Sequence, residues 1–240
     1  MGIVKKPVLK HYWSRNPMIE TPFFNNTIPR DRALKILKNL HFADNTQADA
    51  GDRLWKVRHT IDTLVDKFKT NYMISRETST DESLLKFKGR LKFRQYNPQK
   101  RARFGIKVYK VCQSTGVAHG YTWNIKVYTG QDKDKDEPAS AAVVLDLNRE
   151  LLNKGYNVYI DNLYSSPDLY VKLHKAKTNV CGTVRTSRKN MPKEFVKPKE
   201  LKMKKGEIQY RSCAENLLVL IWKDKKYRQL GVISKGRQHE

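Results

Sequence analysis

Near residue 76 the apolar residues change period, and that change limits the available folds more than any other feature of the chain. Before it, in "RLWKVRHTIDTLVDKFKTNY", Leu54, Val57, Ile61, Leu64 and Phe68 recur at alternating spacings of three and four. That spacing gathers them on one helical stripe. "RDRALKILKNLHF" carries a second such pattern: Leu34, Leu37 and Leu40 fall on a side expected to pack, while Lys35 and Lys38 stay wet. Pro29 suits the first turn of that helix, where its missing amide has no helical partner. "NTQADAG" separates the two helices as a polar loop. Residues 1–27, rich in proline and other turn formers, are predicted to dock as an irregular segment.

Beyond the switch, short apolar runs alternate with turns. "TDESLLKFKG", "RFGIKVYKVCQSTG" and "VAHGYTWNIKVYTG" read as three antiparallel strands. After the charged "QDKDKDEP", a helix is predicted from about residue 139 to 154, stopped by Gly155. "YNVYID" reads as a covered strand, and "SSPDLYVKLHKAK" as a helix capped by Ser166, with Pro167 and Asp168 in its first turn. "NVCGTVR" adds a strand. The tract "RTSRKNMPKEFVKPKELKMKK" lacks either period and reads as a loop that orders on a partner; "NLLVLIWKDKKY" resumes a strand-like pattern. Periodicity alone yields a mixed α/β domain, with helices on the faces of a mixed sheet.

Charge narrows the partner. Forty-eight Lys and Arg against 24 Asp and Glu give +24, beyond what solubility requires, and point to a polyanion, with nucleic acid the leading reading. Residues 86–110 contain no acid but hold Lys86, Lys88, Arg90, Lys92, Arg94, Lys100, Arg101 and Arg103, followed by Lys107 and Lys110. Such a block supplies salt-sensitive phosphate contacts without reading bases. The aromatic residues within and after it, Phe87, Phe93 and Trp123 among them, read as packing residues rather than a base-stacking platform. No run of 18 apolar residues argues for a membrane span, and no apolar core follows "MGIVKKPVLK" to make a secretory signal. Cys112, Cys181 and Cys213 are isolated, which suits a reducing compartment and gives a structural zinc site little support.

Two acids stand out against this background. Asp161 closes the apolar run "VYID" directly before a turn, and Asp81 lies in the first strand segment. If the two strands are neighbours, both carboxylates reach one crevice, where divalent cations could offset their charges and those of a phosphate. Each also has a structural reading: Asp161 as a turn acceptor, Asp81 as a solvated residue near a strand start. Asp224, among Lys223, Lys225 and Lys226, reads as a surface residue.

The ordered stretches "LHFADN", "DESLLKFKGRLKFRQYNPQKRARFGIKVY", "STGVAHGYTWNIKVYTG", "VYIDNLYSSPDLYVKL" and "GTVRTSRKNMP" resemble the piggyBac transposase family, including its domesticated transposable element-derived proteins, over about residues 28–228. The resemblance implies an α/β fold: an incomplete RNase H-like mixed sheet with DDE transposase chemistry, preceded by a helical region. It divides the chain into 1–75, a helical dimerisation and DNA-binding-like region; 76–184, the RNase H-like core; and 185–240, part of a basic insertion. It makes Asp81 and Asp161 the first two catalytic and metal-binding acids, for Mg2+ or another divalent cation. Arg185, Arg188 and Lys189 become DNA-backbone contacts.

The family's third acid follows the insertion in a segment like "GVDxxD", and no such segment occurs before "LGVISKGRQHE". The reading is therefore a C-terminally truncated, transposase-derived protein that binds double-stranded DNA in the nucleus, lacks independent strand cleavage and transfer, and pairs with a second copy or a full-length family member. Two alternatives stay open. One is an active metal-dependent transposase or nuclease completed by a partner or longer isoform; the other is a noncatalytic scaffold or nonfunctional relic.

Overall fold

A computed structural model describes residues 2–99, 103–130, 138–213, 216–224 and 227–234. The candidate cations Lys100 and Arg101 lie outside the described residues. The chain divides into two units, residues 1–61 and 62–240.

In the first unit, residues 1–27 are more regular than predicted. A 3-10 turn at Leu9–Trp13 and a short helix, α1 (Pro22–Thr27), are held by aromatic packing. Tyr12 and Trp13 are buried, each meets Phe24 edge-on, and the Trp13 indole donates to the Ile28 carbonyl at 2.8 Å. Helix α2 (Arg30–Lys38) follows with Pro29 as its N-cap. The expectation that its apolar side packs is corrected: no α2 residue is buried, and Leu37 and Leu40 are exposed. In α3 (Trp55–Thr70), which spans the unit boundary, the apolar stripe is likewise unburied, and only Leu54 just before it is buried. A unit this small has too little surface of its own to cover such stripes.

The second unit is a sheet with helices. Its strands and helices are β1 (Glu77–Lys86), β2 (Gln95–Tyr96), β3 (Phe104–Gln113), β4 (Thr122–Val127), α4 (Ala139–Leu147), β5 (Asn157–Ile160), α5 (Pro167–Lys175), β6 (Asn179–Val184), α6 (Lys193–Val196), β7 (Ile208–Ser212), β8 (Leu217–Lys223) and β9 (Tyr227–Ser234). The described strands form one nine-stranded sheet in the order β2-β3-β1-β5-β6-β9-β8-β7, with β4 also paired to β3. β1, β3 and β4 are antiparallel neighbours, whereas β1, β5 and β6 run parallel. The α4 and α5 crossovers make those parallel pairings possible. This is the mixed sheet of an RNase H-like fold.

The core forms where α4 and α5 cover one face. Val144, Leu147, Leu169, Tyr170 and Leu173 pack with Val111, Val158 and Val180. Ser166 caps α5 as expected, accepting from the Leu169 amide at 3.3 Å. The helix expected to reach residue 154 stops at Leu147, and a 3-10 turn follows at Arg149–Leu151. Asn148, fully buried, donates its side-chain amide to the Val144 carbonyl and to Thr80 Oγ1, both at 2.9 Å. An asparagine that bonds the backbone in this way competes with helix continuation.

The tract expected as a loop at 185–205 contains α6 and a 3-10 turn at Pro198–Leu201. Phe195, Met191 and Met203 are buried and anchor it. Three apolar anchors spaced irregularly leave no period to read. β9 then pairs with β6, so the basic C-terminal segment extends the sheet.

Candidate nucleic-acid and metal site

Asp81 and Asp161 emerge from adjacent strands at one level. The parallel register pairs Thr78 with Val158 and Thr80 with Ile160, so each acid immediately follows a residue of the last pair. Thr78, Thr80, Val158 and Ile160 are buried toward the helices. Alternation along β1 therefore turns Asp81 to the other face, and Asp81 is exposed. Asp161 turns the same way: Thr183 Oγ1, on the face shared by Tyr159 and Cys181, donates to Asp161 Oδ1 at 3.2 Å.

A backbone cradle fixes the Asp161 turn. The amides of Tyr164 and Ser165 and the Ser165 hydroxyl all donate to the Asp161 carbonyl oxygen. The side-chain carboxylate stays exposed, so the turn role and a ligand role use different atoms. On β1, the Glu82 amide donates to Asp81 Oδ1 at 2.7 Å. Lys110 is the antiparallel partner of Asp81, and directly opposed residues share a face. A cation therefore stands on the same side of the sheet as the acids.

Tyr164 links the two acid-bearing segments from within. Its buried hydroxyl donates to Glu82 Oε2 at 2.7 Å, while its ring meets Tyr109 edge-on. Burial, then the bond to Glu82 and the charges of Glu82 and Asp81, push its phenol far above the usual tyrosine range. Burial also pushes Tyr109 up to about 12. Sequence reasoning missed Tyr164, Glu82, Thr183 and the Asp81–Lys110 pairing. Only strand register reveals them, because Glu82 and Tyr164 lie 82 residues apart.

The candidate cations divide by environment. Lys86, Lys88, Arg90, Lys92 and Arg103 are exposed along the end of β1 and the β2 hairpin. Arg94 is exposed too but committed within the hairpin: its Nη1 donates to the Lys88 and Gly89 carbonyls at 3.1 Å, and its guanidinium lies 4.9 Å from the Phe104 ring centre. Arg185 and Lys189 are exposed, with Arg185 Nε donating to Asn162 Oδ1 at 3.3 Å. Arg188 is half-buried and donates to the Asn162 and Leu163 carbonyls at 3.1 and 2.6 Å. Arg185 and Arg188 thus brace the turn that follows Asp161.

Among the described residues, no group of three His, Cys, Asp or Glu side chains is placed to hold a metal ion. Asp81 and Asp161 offer hard oxygen donors of the type a divalent cation accepts, with water completing its shell. No described helix is long and apolar enough to cross a membrane.

Comparison with known proteins bears on the family and the fold. The family described as Transposase IS4 matches residues 1–238. The chain is 30% identical over 232 residues to human PiggyBac transposable element-derived protein 2, and 28% identical over 235 residues to human PiggyBac transposable element-derived protein 3. In each case 93% of this chain is covered, and the chain spans 38% of the relative's length. Among solved structures, the piggyBac transposase synaptic complex with hairpin DNA, determined by cryo-EM, matches with a TM-score of 0.75 and 25% identity over 89% of this chain and 45% of that one.

Proposed function

The chain belongs to the transposase family described as Transposase IS4, among its piggyBac members, and from that premise we propose that it binds double-stranded DNA without cutting or joining strands on its own. The observation that carries the binding half is the exposed, acid-free cation series at the end of β1 and the β2 hairpin. Its strand also carries Asp81, and Lys110 stands opposite Asp81 on the acid face, so a phosphate backbone held at the strand end by Lys86, Lys88, Arg90 and Lys92 is led along β1 by Lys110 toward the acid crevice. Arg185 and Lys189 extend the contact from the β6 side, and Arg94 and Arg188 shape the two turns that present it. Lys100, Arg101 and Arg103 complete the basic series in sequence.

In this reading, Asp81 and Asp161 hold Mg2+ or a similar divalent cation, which when bound supplies charge neutralisation for a phosphate between them. Thr183 and the Tyr164 turn orient Asp161, and the β1 backbone orients Asp81. Phosphoryl transfer by two metals requires a further ligand to fix the second ion and the in-line geometry.

The functional division follows the same reading. Residues 1–75 form a helical dimerisation and DNA-binding-like region, 76–184 the RNase H-like core that carries the acids, and 185–240 part of a basic insertion. The exposed Ile36, Leu37 and Leu40 support docking of the first region against a second family chain. The nucleus is the compartment this function requires. Binding of a labelled duplex at low salt, weakened by Lys88→Ala, Arg90→Ala and Lys92→Ala together, is the expected result. Absence of binding at low salt overturns the proposal, and Mg2+-dependent cleavage by the isolated chain that Asp81→Ala and Asp161→Ala abolish overturns its catalytic half.

A further inference from the structure

We infer that the groove between α5 and the β7–β8 hairpin is a docking site for an acidic peptide segment carrying a bulky aliphatic side chain. The groove encloses about 620 Å³, enough for a few side chains. Its apolar lining comes from Val171 of α5, Met191, and Leu217 and Val219 of β8. Lys172 and Lys175 of α5 stand along one wall and Arg211 of β7 along another. Among the described residues the lining holds one carboxylate, Asp168, and its Oδ1 already accepts from Asn190 Nδ2 at 2.6 Å. Arg211 meets Glu194 only at 3.9 Å, with both side chains about half exposed, so this contact costs little to exchange for another carboxylate.

This groove is distinct from the acid crevice. α5 covers the helix-facing side of the sheet, where Tyr170 packs beside Gly182, whereas Asp81 and Asp161 face the other side. The lining also argues against nucleic acid as occupant. Among the described residues no aromatic ring lines the groove to stack a base, and a duplex is too wide to reach an apolar floor of this size. An aliphatic side chain fills that floor, and flanking carboxylates meet the three cations, which is how a charged rim adds register and specificity to an apolar anchor.

The test uses fluorescence polarisation with a labelled peptide of alternating Leu and Glu, beside the same peptide with Lys for Glu. The full chain is expected to bind the acidic peptide saturably and the basic one not at all. Lys172→Gln with Lys175→Gln, both exposed in the last turn of α5, is expected to weaken binding about tenfold or more while lowering the melting temperature by only a few degrees, since neutral residues there lose only the favourable helix-end charge. Alkylation of Cys213, an exposed groove residue, in a Cys112→Ser/Cys181→Ser background is expected to block the peptide, and Asp81→Ala to leave its affinity intact. Equal affinity for both peptides overturns the assignment, as does affinity unmoved by the double Lys variant. Displacement of bound peptide by duplex DNA that persists when Lys88, Arg90 and Lys92 are all replaced by Ala also overturns it, since the groove would then be a nucleic-acid surface.

Discussion

The Tyr164 hydroxyl donates to Glu82 at 2.7 Å and so ties the turn after Asp161 to the residue after Asp81. Tyr164 is 1% exposed, and the bond ends on a half-buried carboxylate. Hydrogen bonds to charged groups contribute about 1.5 to 3 kcal/mol, and a stranded partner adds a desolvation cost. Tyr164→Phe is therefore expected to lower stability by roughly 2 kcal/mol in urea unfolding. An unchanged unfolding midpoint would show that the two segments are held without this bond.

Gly182 is the register partner of Ile160, the residue directly before Asp161. A Cβ there would lie 2.0 Å from the Ile160 carbonyl oxygen and 3.0 Å from the Tyr170 hydroxyl. The first neighbour is backbone and cannot swing away. Gly182→Ala is expected to force the strands apart and cost about 1 to 3 kcal/mol, with Asp161 displaced because it directly follows Ile160. Comparing thermal unfolding and DNA affinity with the parent chain checks both effects, and a fully stable variant contradicts the close approach.

How much of this was legible in the sequence depends on the range of the interaction. Apart from the two-residue β2, which no expected strand covered, the strand and helix order from β1 through β6 followed from local periods, and Ser166 announced the start of α5 because a cap is a local device. Asp161 was visible as a polar break in an apolar run. The early end of α4 was not, because Asn148 bonds Thr80, a residue 68 positions away. The pairing of β9 with β6 and the Tyr164–Glu82 bond are likewise non-local. The exposed α2 stripe marks the opposite limit: an apolar period states that a face favours burial and not which surface covers it.

Buried tyrosines make stability sensitive to alkali. Burial raises the phenols of Tyr109, to about 12, and of Tyr164 and Tyr170 as well. An unfolded tyrosine ionises near pH 10. Above that pH the unfolded chain holds fewer protons than the folded one, so stability is full below about pH 10 and falls as pH rises toward the folded values. Thermal unfolding followed by circular dichroism is expected to move to lower temperature above about pH 10. Tyr109→Phe should flatten that decline, and an equally steep profile in the variant would remove Tyr109 as a cause.

In the first unit, Asp52 responds in the opposite direction. The Arg58 guanidinium binds it at 2.7 and 2.8 Å, and the Leu54 amide donates at 2.9 Å. The hydrogen bonds from Arg58 chiefly hold its carboxyl below the usual range; burial opposes them, and the Leu54 amide adds a smaller lowering. Its contribution is therefore present above the ordinary carboxylate range and is lost as pH falls through the lowered value. Asp52→Asn is expected to lower stability by about 1 kcal/mol near neutrality, with the difference shrinking in acid. A gap that stays constant with pH would assign the effect to packing.

Salt dependence separates a phosphate-binding surface from a merely basic one. Each phosphate neutralised releases condensed counterions, so a contact to about six phosphates gives a slope near −5 for log affinity against log salt. Lys86, Lys88, Arg90 and Lys92 are exposed, whereas Arg188 is committed to the Asn162 and Leu163 carbonyls. Replacing one of those exposed residues with Ala is expected to reduce the slope by about 1, with little change between duplex sequences. Arg188→Ala is expected to act differently, lowering stability by releasing the turn after Asp161 while changing the slope less. Duplex titrations at several salt concentrations, read beside urea unfolding of the same variants, distinguish the two. A full unit of slope lost with Arg188→Ala and no loss of stability would place Arg188 on the DNA rather than beneath it.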